Sequence, residues 1–228
     1  MYLIFSAAFG LLAWAESRRP LRKRVDSREE RFAENITSAI AAAIATAIVQ
    51  RPLIKRAKRS RGILKRVDLP RPAKTIAGVL LLDYTLWWWH WMNHRVPPLW
   101  AFHRFHHLDR DLDVSTGIRF HPGELALSGV FRAAQIAILG VDDEALRIWQ
   151  RILLVSILFH HSNLRLPERV DRALTAVIVT PRMHGIHHSD RWEETNSNWS
   201  SLLSWWDWMH GTMRLDRPQS EITIGAPV

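Results

Sequence analysis

The 228-residue chain contains no cysteine. That excludes disulfides, thiolate zinc sites, cysteine nucleophiles and cysteine-held iron–sulfur clusters. Zinc-finger, RNA-recognition and basic-zipper signatures are also missing, so the formal charge of +9 has no nucleic-acid motif to serve and no nucleic-acid partner is expected. The charge is concentrated in two blocks, Arg18–Arg24 and Arg51–Arg66, each beside an apolar stretch, an arrangement that suits anionic lipid headgroups. There is no alternating β pattern, no repeat of fixed period and no low-complexity tract. What remains is an all-α chain.

Five apolar runs are present. Met1–Ala15 is not a signal peptide by pattern, because its basic residues follow the apolar run, and it is read as a short spanning or embedded helix. Residues 36–50 and 75–91 come nearest to the ~20 apolar residues that a full span needs. The stretches 125–141 and 145–161 carry Arg132, Arg147 and Arg151 and are read as short, tilted or interfacial. Twelve tryptophans, many at the ends of these runs, fit a membrane–water interface. The mean hydropathy of −0.11 places much of the chain outside hydrocarbon. The expected architecture is an integral membrane helical bundle with a histidine-rich di-metal cap. Residues 1–75 are expected to anchor it, the histidine-bearing stretch 76–215 is the candidate catalytic domain and 216–228 a tail. Both basic blocks claim the cytoplasmic side, so either the 36–50 segment dips in and returns or one block breaks the positive-inside rule.

Histidine is absent from the first 89 residues, and eleven of the twelve then fall between 90 and 188. His90 and His94 are four apart. His103, His106 and His107 stand at i, i+3, i+4, and His184, His187 and His188 repeat that spacing. On a helix such residues share a face, with Cβ atoms about 5–6 Å apart, so each group can present converging nitrogens. Eight histidines exceed the needs of one ion, and two ions fit the count. Imidazole suits zinc, copper, iron and nickel alike, so spacing does not name the metal. His160 and His161 end an apolar run. They point about 100° apart on a helix, so one of the two is expected to ligate. His210 has no partner at helical spacing and is read as a non-ligand. Asp83 lies in an apolar run on one helical stripe with His90 and His94, where a carboxylate could take the free N–H of a ligating imidazole and fix its tautomer.

The motifs extend beyond histidine. Asp83–Tyr84 leads into HWMNHR (90–95), LWAFHRFHH (99–107), DVSTGIRFHPGE (113–124), FHHSN (159–163), TPRMHGIHHS (180–189), ETNSN (194–198) and Trp206–Asp207. In this order they resemble the fatty acid hydroxylase/sterol desaturase superfamily, in particular its bacterial members, over about residues 78–215. The resemblance implies a di-iron centre on the cytosolic face of a multi-pass membrane protein, here a bacterial inner membrane. That centre would activate O2 to hydroxylate or desaturate a lipid. By the resemblance His90, His94, His103, His106, His107, His184, His187 and His188 are ligands. His161 joins them from the HSN motif, with Asn163 beside it in support, and His121 from RFHPGE is a further ligand in the bacterial branch. Two features depart from the family pattern: the strongly basic 51–66 loop, and His210 at a usually aromatic position.

No cytochrome, flavin or ferredoxin motif is visible, so electrons are expected from a separate cytochrome, ferredoxin or reductase. Zinc is expected to substitute for iron in preparations, since it outranks ferrous iron at such sites. Two rival readings are a membrane zinc hydrolase, for which the HExxH of zinc proteases is missing, and a non-catalytic metal-binding membrane protein. The lipid itself is not readable from the sequence.

Overall fold

The computed structural model describes residues 2–227. Twelve α-helices carry the fold: α1 (Tyr2–Arg18), α2 (Arg28–Ala45), α3 (Arg51–Ala57), α4 (Ile63–Arg66), α5 (Arg71–Arg95), α6 (Pro97–His107), α7 (Pro122–Leu139), α8 (Asp143–His161), α9 (Glu168–Thr175), α10 (Pro181–His187), α11 (Trp192–Thr195) and α12 (Trp205–His210). Among the described residues there is no strand, only three isolated bridges. The all-α expectation therefore holds.

Helices α2 and α3 join through a π-helical turn, Thr46–Gln50, into one rod of 30 residues, Arg28–Ala57. It is the one described helix long and apolar enough to cross a membrane. At ~1.5 Å per residue it exceeds the ~30 Å hydrocarbon thickness. Most of it is uncovered by protein: Ile40, Ile44 and Ile48 are exposed. The run at 75–91, expected to come near a span, lies within α5. That helix carries Asp83, two site histidines and basic residues at both ends, and it buries much of its length inside the bundle.

Local chemistry sets the helix ends that aim the site. Pro122 occupies the first turn of α7, and Gly140 ends that helix in the left-handed region at φ 69°, a conformation glycine adopts without penalty. Asp142 caps α8 by accepting from the Ala145 amide at 2.6 Å. Thr180 caps α10, with Pro181 in the first turn. The apolar core lies between α5, α7 and α8, around Leu82, Ile136, Leu146, Trp149 and Leu153. Burying each such side chain contributes about 1.5–3 kcal/mol.

A second, polar core ties the first two helices to the loop after α6. The buried Arg31 guanidinium pairs with Asp109 at 2.6 Å and Asp113 at 2.8 Å, and donates to the Asp111 carbonyl at 2.6 Å. Arg24 adds a bond to Asp113 at 2.8 Å. Burial alone would raise the Asp113 carboxyl, but Arg31, Ser115 and Arg24 hold it at about 2. Part of the first basic block is thus committed inside the protein. Arg22 donates to the Pro181 carbonyl at 2.7 Å, at the start of α10, and Asn163 clasps the Arg22 backbone through two hydrogen bonds. Residues 19–25 consequently form a strap across the ends of α8 and α10.

Candidate metal centre

Four helices, α5, α6, α8 and α10, deliver nine buried histidines to one region, where their ring nitrogens sort into two groups. His90, His94, His103, His107 and His187 form the first, and His106, His161, His184 and His188 the second. Within each group the nitrogens lie within 4.8 Å of one another. The i, i+3, i+4 spacing works as helical geometry requires, but it divides between the groups. His103 and His107 turn to the first and His106 to the second; His187 turns to the first and His184 and His188 to the second.

Hydrogen bonds on the outer sides of the rings fix which nitrogen faces inward. In the first group Nδ1–H of His90 donates to the Trp199 carbonyl at 2.7 Å and that of His187 to the Ser197 carbonyl at 2.8 Å; Nδ1 of His103 meets Glu124 Oε1 at 2.9 Å. In the second, His106 donates to the Arg119 carbonyl at 2.9 Å and His161 to the Ile157 carbonyl at 2.8 Å. A carbonyl can only accept, so the proton sits on Nδ1 and the lone pair on Nε2. The Nε2 atoms of His106 and His161 then face each other at 3.0 Å with no proton between them, and His184 and His188 continue the cluster at 3.0 and 3.1 Å. Lone pairs so placed repel unless a cation lies among them. Nitrogens bound to one ion at ~2.1 Å and at right angles to each other would be ~3.0 Å apart, which matches. The inward nitrogens of His103 and His187, and both ring nitrogens of His94 and His107, are buried without a partner. Such orphans cost free energy in an apolar interior. Burial, reinforced by neighbouring imidazoles, holds His106, His107, His184, His187 and His188 well below the usual histidine range. The rings are therefore neutral, the form that binds metal. The residues fit two metal ions.

Three residues expected at the site stand outside both groups. His121 caps α7, its Nδ1 accepting from the Gly123 amide at 3.0 Å, and its ring packs on Phe102. Asp83 does not meet an imidazole. Its Oδ2 accepts from Trp206 Nε1 at 2.6 Å and the Leu203 amide at 3.1 Å, because the loop before α12 reaches it first. Asn163 holds the strap and touches no histidine of either group. Of the adjacent pair, His161 belongs to the second group, while His160 is buried beside His184 with its Nδ1 unpartnered. His210 stacks on Trp87 outside both groups.

The sequence motifs contain Glu124 but give it no role; it is the carboxylate that does contact a group histidine. Asp207, likewise quoted without a role, accepts from the Trp199 and Ser200 amides, each at 2.9 Å, and so holds the loop whose carbonyl orients His90. Glu124 carried a weak signal: it stands in the first turn of a helix opened by Pro122.

A cavity of about 230 Å³ adjoins the histidines. Its walls include His103 of the first group and His106, His161 and His184 of the second, with Leu86, Phe120, Leu125 and Ile157 as apolar surface. Both groups thus open on one largely apolar space.

Residues 75–212 match the family described as Fatty acid hydroxylase. The chain is similar to an alkylglycerol monooxygenase of Homo sapiens, 24% identical over 154 residues, which cover 67% of this chain and 33% of that protein. It is also similar to an ornithine lipid hydroxylase of Rhizobium tropici, 27% identical over 158 residues, or 68% of this chain and 46% of that protein. The chain therefore spans a third to just under half of the length of these relatives. No solved structure matches. With the family match covering more than half of its length and every histidine of both groups, the chain belongs to the fatty acid hydroxylase family.

Proposed function

We propose that this protein is a membrane-bound, non-haem di-iron oxygenase that hydroxylates or desaturates a lipid, using O2 and electrons from a separate donor. The observation that carries this reading is the pair of histidine groups whose ring nitrogens converge beside a shared apolar cavity. The relatives' names, a lipid monooxygenase and a lipid hydroxylase, support the substrate class. His90, His94, His103, His107 and His187 would hold one ion and His106, His161, His184 and His188 the other. Iron, when bound, supplies the O2 activation and one-electron chemistry that no side chain here can provide.

The chain's own residues do the rest. Glu124 and the carbonyls of Arg119, Ile157, Ser197 and Trp199 lock ring orientation, so the ligand set is formed before any ion arrives. Leu86, Phe120, Leu125 and Ile157 line a dry space that holds an alkyl segment against the two groups and keeps water from it. The rod Arg28–Ala57 anchors the protein in the bilayer, with the histidines on the cytoplasmic side of a bacterial inner membrane. Residues 1–75 serve anchoring and bracing, and 76–215 the chemistry.

The test is direct. Protein purified in detergent is analysed for metal, then supplied with iron, a reductant and membrane lipid with and without O2, and the lipids are weighed by mass spectrometry. About two ions per chain, and an O2-dependent gain of one oxygen or loss of two hydrogens, are expected. A reproducible single ion, or full turnover with zinc in the absence of O2, would sink the reading.

A further inference from the structure

The cavity beside the histidines holds one cation that the metal chemistry does not use. Arg132, on α7, lines that cavity and is 8% exposed. Its Nη1 donates to Gln135 Oε1 at 2.6 Å, and Gln135 in turn bonds Thr85. Its guanidinium lies over the Trp149 ring, 4.0 Å from the centroid. One edge and one face are thereby held. The other N–H groups have no hydrogen-bond acceptor among the described residues; the charge of Asp83 reaches the guanidinium, but that carboxylate bonds Trp206 and the Leu203 amide instead. A guanidinium keeps its charge, so a buried one with no carboxylate bonded to its free edge leaves that edge to an incoming anion.

The cavity's only carboxylate does not fill that role. Glu124 stands on the same stripe of α7, at i and i+8 from Arg132, and is committed to His103. The two Cα atoms are therefore about 12 Å apart along the helix axis, at ~1.5 Å per residue. The histidines thus mark one part of the cavity and Arg132 a separate point in its wall, with Leu125 and Ser128 of α7 between Glu124 and Arg132. At about 230 Å³ the space is smaller than the ~300–1,000 Å³ usual for a whole ligand, so it takes part of a longer amphiphile.

We propose that Arg132 binds an oxyanion, the carboxylate or phosphate of an amphiphilic substrate, and so fixes which carbon of its alkyl chain lies at the histidine groups. This rests on the di-iron lipid oxygenase reading. The forked guanidinium, steadied by Gln135 and Trp149, offers its free edge in the planar geometry that carboxylate and phosphate accept two-pronged. Arg132 is a specificity-determining residue that takes no part in the chemistry.

The experiment measures equilibrium binding of labelled dodecanoate, dodecyl phosphate and dodecanol to the purified, metal-loaded full chain in a neutral detergent. Wild type should bind the better of the two anions at least about tenfold more tightly than dodecanol, and which anion wins identifies the headgroup. R132Q should lose about tenfold for that anion, change dodecanol by less than about twofold, and keep about two ions per chain. R132K, which retains charge but not the fork, should fall between them. Equal binding of dodecanol and both anions by wild type, or an unchanged anion affinity in R132Q, overturns the proposal. If R132Q does not fold, the wild-type comparison and R132K decide. Anion selectivity without lipid oxidation would leave this inference standing and the oxygenase reading fallen; lipid oxidation without anion selectivity would do the reverse.

Discussion

The two histidine groups are built from the same residue type but supported differently. In the first, the outer nitrogens reach Glu124 and the carbonyls of Ser197 and Trp199, on a loop that Asp207 holds by two backbone amides. In the second they reach the carbonyl of Ile157, one turn back on the same helix as His161, and that of Arg119. The first therefore depends on a carboxylate and a distant loop, the second on helix α8 and on the loop that follows α6. Helix α10 serves both. Damage to the loop or to Glu124 should be felt in one group, and damage to α10 in two.

The largest effect should come from behind α10. A Cβ at Gly185 would lie 1.8 Å from Arg22 Nη2 and 2.7 Å from Gln219 Oε1. Gly185→Val should displace Arg22 from its acceptors, shift the helix and cost on the order of 3 kcal/mol. Metal analysis and thermal unfolding should show both ions depleted and a lower Tm; a variant that keeps two ions would mean that α10 is not shared in the way its histidines suggest.

His184→Ala and His187→Ala come next, because each removes a nitrogen from one group only. Either should lower the metal content from about two ions toward about one and abolish lipid oxidation, and spectroscopy of the remaining ion should differ between the two variants. Identical residual spectra would break the assignment of neighbouring histidines to different groups.

Glu124→Gln keeps the shape and a hydrogen-bond acceptor but removes the charge facing His103. A loss of about 10–100-fold in metal affinity is expected at the first group, with the second unchanged, read by chelator competition. Equal weakening of both groups would show that their supports are coupled. The smallest effect belongs to His121→Ala. It removes a helix cap, costing about 1 kcal/mol or less in unfolding experiments, and should leave two ions bound.

The helical spacing of histidine made most of this site legible, since residues three and four apart must share a face whatever the rest of the chain does. Which ring served which group was not legible: adjacent histidines diverge, and only the packed helices decide where each points. Asp83 does lie on the stripe with His90 and His94, but a side chain's partner depends on what else arrives. Here Trp206 and Leu203, more than a hundred residues later, take the carboxylate. The supports by Glu124, Asp207 and backbone carbonyls are long-range contacts with no fixed spacing to betray them. Likewise Arg22 and Arg24 read as headgroup contacts from composition, because the acids and carbonyls that claim them lie far along the chain. Of the expected membrane bundle, the rod at Arg28–Ala57 is the one segment whose length and apolarity speak for themselves.

The strap across α8 and α10 has a consequence for how fast the site can exchange its contents. Arg22 is joined to Asn163 across 141 residues and to Gln219 across 197, so closing it demands that the two distant parts of the chain meet. Contacts of such separation are formed slowly and late. Until they form, α10 lacks its backing and three of the nine histidines are poorly fixed. Once they form, protein closes over the rings from the α10 side, and the apolar cavity is the face left open. Release of a bound ion on the α10 side then requires the strap or its neighbouring loop to open, so escape by that route is governed by local unfolding as well as by the bonds to nitrogen.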